Sequence, residues 1–132
     1  MRWMLDTNTC IYIMKRRPPQ VQGRLRRVAI GEVGISAIVL AELRFGIQKS
    51  RRREENAAAL ADFLHYCLMF DWPQDASGAY AEIRDALEAQ GTPIGSNDLL
   101  IAAHALHLGC TLVTNNVEEF TRVDGLLVDN WI

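Results

Sequence analysis

Runs of three or four apolar residues alternate with longer amphipathic segments along this chain of 132 residues. Runs this short fit buried strands rather than helices, so the alternation constrains the fold more than any other feature. Strands separated by helices form βαβ units, whose crossovers produce a parallel sheet with helices on both faces. We therefore expect an α/β fold with a mainly parallel sheet of four to five strands flanked by helices.

The apolar runs and the periodic segments define the expected elements. The predicted strands are Trp3–Leu5, Val33–Ser36, Leu68–Phe70, Thr111–Thr114 and Leu126–Val128. The predicted helices are Thr7–Arg16, Pro19–Val28, Ala37–Lys49, Glu54–Tyr66, Asp75–Gln90, Asn97–Leu108 and a turn at Val117–Phe120. Gly91 and Gly109 are expected to end two of the helices, because glycine readily adopts the left-handed conformation of a helix terminus. The length and the absence of a linker or repeat predict a single domain over residues 1–132.

The composition is that of a globular protein, with 49% hydrophobic and 23% charged residues. No apolar run approaches the roughly 18 residues of a membrane span, and the first apolar stretch is too short for a signal peptide. Cys10, Cys67 and Cys110 match neither a disulfide framework nor a zinc site. We therefore expect buried, unpaired cysteines and a cytoplasmic location.

The net charge of −2 hides an uneven distribution. The first 53 residues hold 12 basic and 3 acidic residues, whereas the remainder holds 2 and 13. A basic region of this kind suits a polyanion such as a nucleic-acid backbone, although a solvated charged face is an equally simple interpretation. The candidate nucleic-acid contacts are Lys15, Arg16, Arg17, Lys49, Arg51 and Arg52.

Three acidic residues are expected near the carboxyl ends of the strands, where parallel sheets bind their ligands. Asp6 ends the first apolar run, Glu42 lies inside a strongly predicted helix, and Asp98 opens a later one. Each also has a structural interpretation. Asp6 suits an N-cap, Glu42 a surface position or an ion pair with Arg44, and Asp98 the first turn of a helix, where the dipole favours acids.

Together the three acids indicate a metal site. Carboxylates gathered in one crevice repel each other unless a cation neutralises them, and Mg²⁺ or Mn²⁺ prefer such oxygen ligands. Asn116 follows the fourth predicted strand and is a further candidate ligand, although asparagine also suits a turn. Glu119 fits either an outer ligand or a solvated face.

Four segments resemble the motifs of the PIN-domain family and, within it, the VapC toxins. The first three contain Asp6, Glu42 and Asp98, and the fourth is similar to the C-terminal segment of enteric-type members. The segments are Met4–Thr9, Ile35–Leu43, Pro93–Ala105, and Leu112–Phe120 continued by Arg122–Leu126 and Asn130–Trp131. The resemblance covers nearly the whole chain, in the family's order and spacing.

The resemblance implies a PIN-like fold, a homodimer, and Mg²⁺ or Mn²⁺ held by Asp6, Glu42 and Asp98. It implies cleavage of RNA, often a transfer RNA, and for the most similar members the initiator transfer RNA. It also implies a VapB-type antitoxin that occupies the active-site groove and binds operator DNA for the complex. Many PIN domains carry a fourth acid near Asn116, so the amide here leaves open whether one metal or two are bound.

The hypothesis for mechanism is in-line attack of water on an RNA phosphodiester, with one of the three acids as general base. Two other functions stay open. A non-catalytic module that binds RNA or protein would share the charge asymmetry. A haloacid-dehalogenase-like phosphatase would use Asp6 as its nucleophile, but Asn8 stands where that family has a second aspartate.

Overall fold

A computed structural model describes residues 1–132. Its strands are β1 (Trp3–Leu5), β2 (Val33–Ser36), β3 (Leu68–Phe70), β4 (Thr111–Val113) and β5 (Val128–Asp129). They form one sheet in the order β3-β2-β1-β4-β5, and every neighbouring pair is parallel. The predicted α/β fold with a mainly parallel sheet is confirmed.

Helices flank this sheet. They are α1 (Thr7–Lys15), α2 (Pro19–Arg27), α3 (Ala37–Lys49), α4 (Arg53–Leu64), α5 (Ser77–Ala89), α6 (Ser96–Leu108) and α7 (Val117–Phe120). All four residues of β2 are buried, and successive strand residues point to opposite faces, so both faces of the sheet are covered there. None of the helices is both long and apolar enough to span a bilayer.

Two predicted elements begin two residues later than expected, and several others differ from their predicted bounds by one or two residues. The last strand starts two residues later than expected, because the amide of Leu126 still closes the preceding turn on the carbonyl of Val123 (3.3 Å). The helix expected from Asp75 begins instead as a 3₁₀ turn over Gln74–Ala76, in which the amide of Ala76 donates to the carbonyl of Pro73 (3.0 Å). The glycine stops after α5 and α6 are confirmed by positive φ angles of 71° and 67°.

The centre of the sheet determines where ligands can bind. β1 lies between β2 and β4, so the order of the strands reverses at this point, as it does at the ligand site of doubly wound sheets. Asp6 and Thr114 directly follow β1 and β4, and the amide of Asp6 donates to the carbonyl of Val113 at 3.0 Å. Both side chains therefore start from the same edge of the sheet.

One aromatic cluster joins the two ends of the chain. The rings of Trp3 and Trp131 meet edge to face with their centroids 5.6 Å apart. The guanidinium of Arg24 lies 6.0 Å from the first ring and 5.6 Å from the second, and it pairs with Asp129 at 3.2 Å. Aromatic and cation–π contacts of this kind each contribute roughly 0.5–1.5 kcal/mol, so they hold the C-terminal segment against α2 and β1.

His104 is a buried polar residue without a polar partner. It is 0% exposed, neither ring nitrogen is hydrogen-bonded, and its ring packs edge-on against Phe70 with 6.4 Å between centroids. Burial, with a smaller contribution from the charge of His107, lowers the pKa of His104 below its ordinary value. A structural role for His104 in the core therefore depends on its staying neutral.

We expect His104→Leu to reduce the loss of stability in acid. In the wild type the unfolded chain has the higher histidine pKa, so it takes up a proton first and stability falls as the pH drops below about 6.5. The variant has no histidine to protonate at this position, so its free energy of unfolding should fall less between about pH 7 and pH 5, as measured by thermal unfolding. The control is His65→Leu, because His65 is exposed; equal acid sensitivity of His104→Leu and the wild type would contradict the assignment.

Candidate active site

Asp6 is held by hydrogen bonds at both carboxylate oxygens. It is only 5% exposed. Oδ1 accepts the amide of Thr9 at 2.9 Å, which makes Asp6 the N-cap of α1, and Oδ2 accepts the hydroxyl of Thr114 at 2.5 Å. Burial raises the pKa of Asp6 above its ordinary value, while the bonds from Thr114 and Thr9 oppose that rise. The expected N-cap is confirmed, and the same bond holds the carboxylate of Asp6 at the carboxyl edge of the sheet.

The direction of the Thr114 hydroxyl bond follows from its partners. Thr114 is fully buried, and its oxygen accepts the amide of Asn116 at 2.9 Å. A hydroxyl carries one proton, and here that proton points to Asp6. The sequence analysis placed Thr114 only as the last residue of a strand. Its position directly after an apolar run was the available signal for a role at this edge.

Glu42 reaches the same edge from α3, where it is half-buried. Its Oε1 accepts the hydroxyl of Thr7 at 2.5 Å, and its Oε2 accepts the side-chain amide of Asn97 at 3.3 Å. The alternative of an ion pair with Arg44 is not found, because the ion pairs of the structure join other residues. Sequence reasoning missed Asn97, which gave no signal except that it precedes an acid.

Asp98 lies among three other acids. The pKa of Asp98 is raised to about 7, and burial is the largest cause. A hydrogen bond and charge repulsion from Glu119 raise this pKa further, as do the charges of Glu42 and Asp6. The three predicted acids therefore act on one another, although they come from three separate elements. Glu119 joins them as a fourth carboxylate, which the sequence analysis left open between an outer ligand and a solvated face.

Asn116 is exposed and occupies the N-cap position of α7 without a side-chain capping bond. Its side-chain amide donates to Oε2 of Glu119, and Oε1 of Glu119 accepts the amide of Gly95 at 3.4 Å. The side-chain amide of Asn116 thus helps to hold Glu119 in place. The role of Asn116 as a metal ligand stays a prediction.

The acids converge without forming a closed cage. No three of the carboxylates, histidines or cysteines are spaced as a ready metal-binding group. The donor set of carboxylate oxygens nevertheless has the chemistry that hard divalent cations prefer.

A groove of about 300 Å³ lies along α3, and Glu42 is the one acid of the site that lines it. Glu42 lines one end and Ser50 the other, with an apolar floor and Lys15 on the wall. The floor consists of Ile11, Met14, Leu43, Ile47 and Ala59. The groove therefore lies between the carboxylate of Glu42 and the basic turn that begins after Ser50.

The six basic candidates are all exposed, at the end of α1 and at the turn between α3 and α4. Lys49 lies over the ring of Phe45 at 5.2 Å, and Arg52 pairs loosely with Glu55 at 3.6 Å. Exposed pairs of this kind contribute little to stability, so these cations remain available to a ligand.

The comparison with protein families decides the classification. The model of the family described as "PIN domain" matches residues 3–126. The chain belongs to the PIN-domain family. This PIN domain is 42% identical over 132 residues to "Ribonuclease VapC2" of Rickettsia felis, with 99% of this chain and 98% of the relative covered. It is 37% identical over 131 residues to "tRNA(fMet)-specific endonuclease VapC" of Salmonella typhimurium, with 99% and 98% covered.

The fold of the PIN domain also matches a solved complex. A crystal structure of VapBC2 from Rickettsia felis bound to a DNA fragment from its promoter superposes with a TM-score of 0.93, at 40% identity and with 100% of both chains covered. The resemblance to VapC ribonucleases stated from the motifs is confirmed. PIN-domain nucleases generally use a divalent metal, and the four carboxylates of this PIN domain fit such an ion by charge and donor type.

We expect Asp98→Asn to stabilise the metal-free PIN domain at pH 8. The fold disfavours ionised Asp98, so the cost is fully present above about pH 7 and is relieved as the pH falls. After discounting for partial exposure, the gain is on the order of 1 kcal/mol, or roughly 4 °C in Tm.

The measurement is thermal unfolding in chelator at pH 8 and pH 5, with the exposed Asp85→Asn as matched control. Added Mg²⁺ should raise the Tm of the wild type more than that of Asp98→Asn. An Asp98→Asn protein no more stable than the control at pH 8 would contradict the repulsion inferred here.

Proposed function

We propose that this PIN domain, acting as one unit over residues 1–132, is a toxin endoribonuclease that hydrolyses RNA phosphodiesters with Mg²⁺ or Mn²⁺. One observation carries the proposal: at the carboxyl edge of the sheet, Glu42 is hydrogen-bonded to Thr7 and Asn97, the chain neighbours of Asp6 and Asp98. Membership of the VapC ribonucleases supports the reaction class.

The three acids would hold the ion, and the amide oxygen of Asn116 is proposed as a further ligand. A bound divalent ion supplies a Lewis acid that activates water and neutralises charge developing on the phosphate. One of the acids accepts a proton from the attacking water. In-line attack expels the 3′ oxygen, so the products carry a 5′-phosphate and a 3′-hydroxyl.

The substrate is proposed to be a transfer RNA, with the initiator transfer RNA as the specific candidate. The name of the Salmonella relative supports this choice. The backbone of the RNA is proposed to follow the exposed basic residues at the end of α1 and at the α3–α4 turn, because clustered cations release counterions from a polyanion. These residues are Lys15, Arg16, Arg17, Lys49, Arg51 and Arg52.

A VapB-type antitoxin is the proposed partner, and operator DNA is bound only through it. The solved VapBC complex with promoter DNA supports this assignment. The apolar groove beside Glu42 is the proposed docking site, since an occupant there would cover an acid of the site. A homodimer and a cytoplasmic location complete the proposal, and the three unpaired cysteines suit a reducing compartment.

We expect Asp6→Asn, Glu42→Gln and Asp98→Asn each to slow RNA cleavage by at least about 100-fold, because each removes a charge that the ion and the water need. The measurement is the initial rate on transfer RNA in Mn²⁺, with toxin freed of antitoxin. Ligation-based analysis should find 5′-phosphate ends. The control Glu82→Gln removes an exposed acid of α5 and should cleave normally.

Other outcomes would favour the other functions. A 2′,3′-cyclic phosphate end would replace water attack with attack by the ribose hydroxyl. A trapped phosphoryl group on Asp6 would support the phosphatase. RNA that is bound but stays intact in Mn²⁺ would support the binding module.

We expect Ala59→Asp to weaken neutralisation by the antitoxin about 10-fold or more, which is about 1.4 kcal/mol. Ala59 is exposed and lines the groove, so a charge there opposes an apolar partner without disturbing the core. The measurement is the antitoxin concentration that halves RNA cleavage. Ala61→Asp is the matched control, exposed on the same helix but outside the groove. Equal neutralisation of the two variants would exclude the groove as docking site.

A further inference from the structure

The carboxylate of Glu42 is held by neighbours of the other two acids. Thr7 directly follows Asp6 and donates its hydroxyl to Oε1 at 2.5 Å, whereas Asn97 directly precedes Asp98 and donates its amide to Oε2 at 3.3 Å. Each oxygen of Glu42 thus has one donor, and each donor belongs to the element that carries another acid. The three acids are thereby connected through their neighbours.

These two polar side chains are not explained by helix capping. Both lie in the first turn of a helix, where side-chain oxygens commonly bind backbone amides. In α1 the cap is Asp6, and α6 begins after Gly95 without a side-chain cap. Neither Thr7 nor Asn97 caps its helix, and each side chain donates instead to Glu42.

Glu42 needs such support more than the other acids. It projects from a helix through a long side chain with several rotatable bonds, and the charges of Asp6 and Asp98 act against its approach. Without donors it would turn toward solvent or along the groove that it lines. Two hydrogen bonds still leave acceptor positions on the carboxylate for a cation.

We propose that Thr7 and Asn97 are positioning residues, a pair of donors that holds Glu42 beside Asp6 and Asp98 and so sets the affinity of the site for a divalent ion. The proposal rests on the metal-dependent function proposed above. Thr7 is the stronger member of the pair, because its bond is shorter and the β-branched side chain has few rotamers.

The test measures Mn²⁺ affinity by isothermal titration calorimetry in the absence of RNA. Thr7→Val keeps the shape and removes the donor, and it should weaken Mn²⁺ binding on the order of 10- to 100-fold. Thr7→Ser should restore binding to within about threefold, because the hydroxyl returns. Asn97→Ala, at an exposed position, should weaken binding less than Thr7→Val.

The matched control is Thr111→Val, which makes the same change at the amino end of β4, far from the edge that carries the acids. A double-mutant cycle then tests the route of the effect. If Thr7 acts through Glu42, Thr7→Val should change Mn²⁺ affinity no further in a Glu42→Gln background.

Three results overturn the inference. The first is equal Mn²⁺ affinity of Thr7→Val and Thr111→Val. The second is Mn²⁺ binding by Thr7→Ser as weak as that by Thr7→Val. The third is an equal loss of Mn²⁺ affinity from Thr7→Val in the Glu42→Gln background and in the wild type. Failure of the function itself has a different signature. In that case Glu42→Gln alone leaves both Mn²⁺ affinity and RNA cleavage unchanged, which overturns the function and the positioning role together.

Discussion

Asp6 places a carboxyl group inside the protein, where its ionised form costs several kcal/mol without partners. The amide of Thr9 and the hydroxyl of Thr114 offset that cost, one at each oxygen. Both partners must therefore be in place for the carboxylate to stay charged at the sheet edge. The first turn of α1 supplies Thr9, whereas the strand order supplies Thr114, because it places the end of β4 beside the end of β1. The other residues of the site lie around the carboxylate of Asp6.

The other acids repel one another electrostatically, and this repulsion destabilises the folded protein. Asp98 faces Glu119, Glu42 and Asp6, and the resulting rise of its pKa to about 7 means that the fold works against its ionised form. Functional sites commonly retain such unfavourable interactions, which a more stable sequence would lack. In the proposed function the repulsion is useful, because a cation that relieves it gains that energy as affinity.

Local pattern was enough to predict the strands and the helices and to single out three acids as candidates, since apolar spacing and terminal residues act within a few positions. Gly109 illustrates this, because a left-handed terminus favours glycine whatever surrounds it. The bonds of the site could not be read in the same way. Glu42 meets Thr7 and Asn97 across separations of 35 and 55 residues, and such contacts depend on how the crossovers place the helices. The late start of β5 has a different, local cause: the amide of Leu126 donates to the carbonyl of Val123, so the turn continues into an apolar run that by itself predicts a strand.

The bond between Asp6 and Thr114 spans 108 residues, and the contact of Trp3 with Trp131 joins the ends of the chain. During synthesis on the ribosome, β1 emerges first but must wait for β4 and β5 before the sheet can close around it. A nascent chain that stops before Thr114 carries Asp6 without the hydroxyl that bonds to its carboxylate. Catalytic competence thus arrives late in translation, and truncated products of this gene would be inert rather than harmful to the cell that makes them.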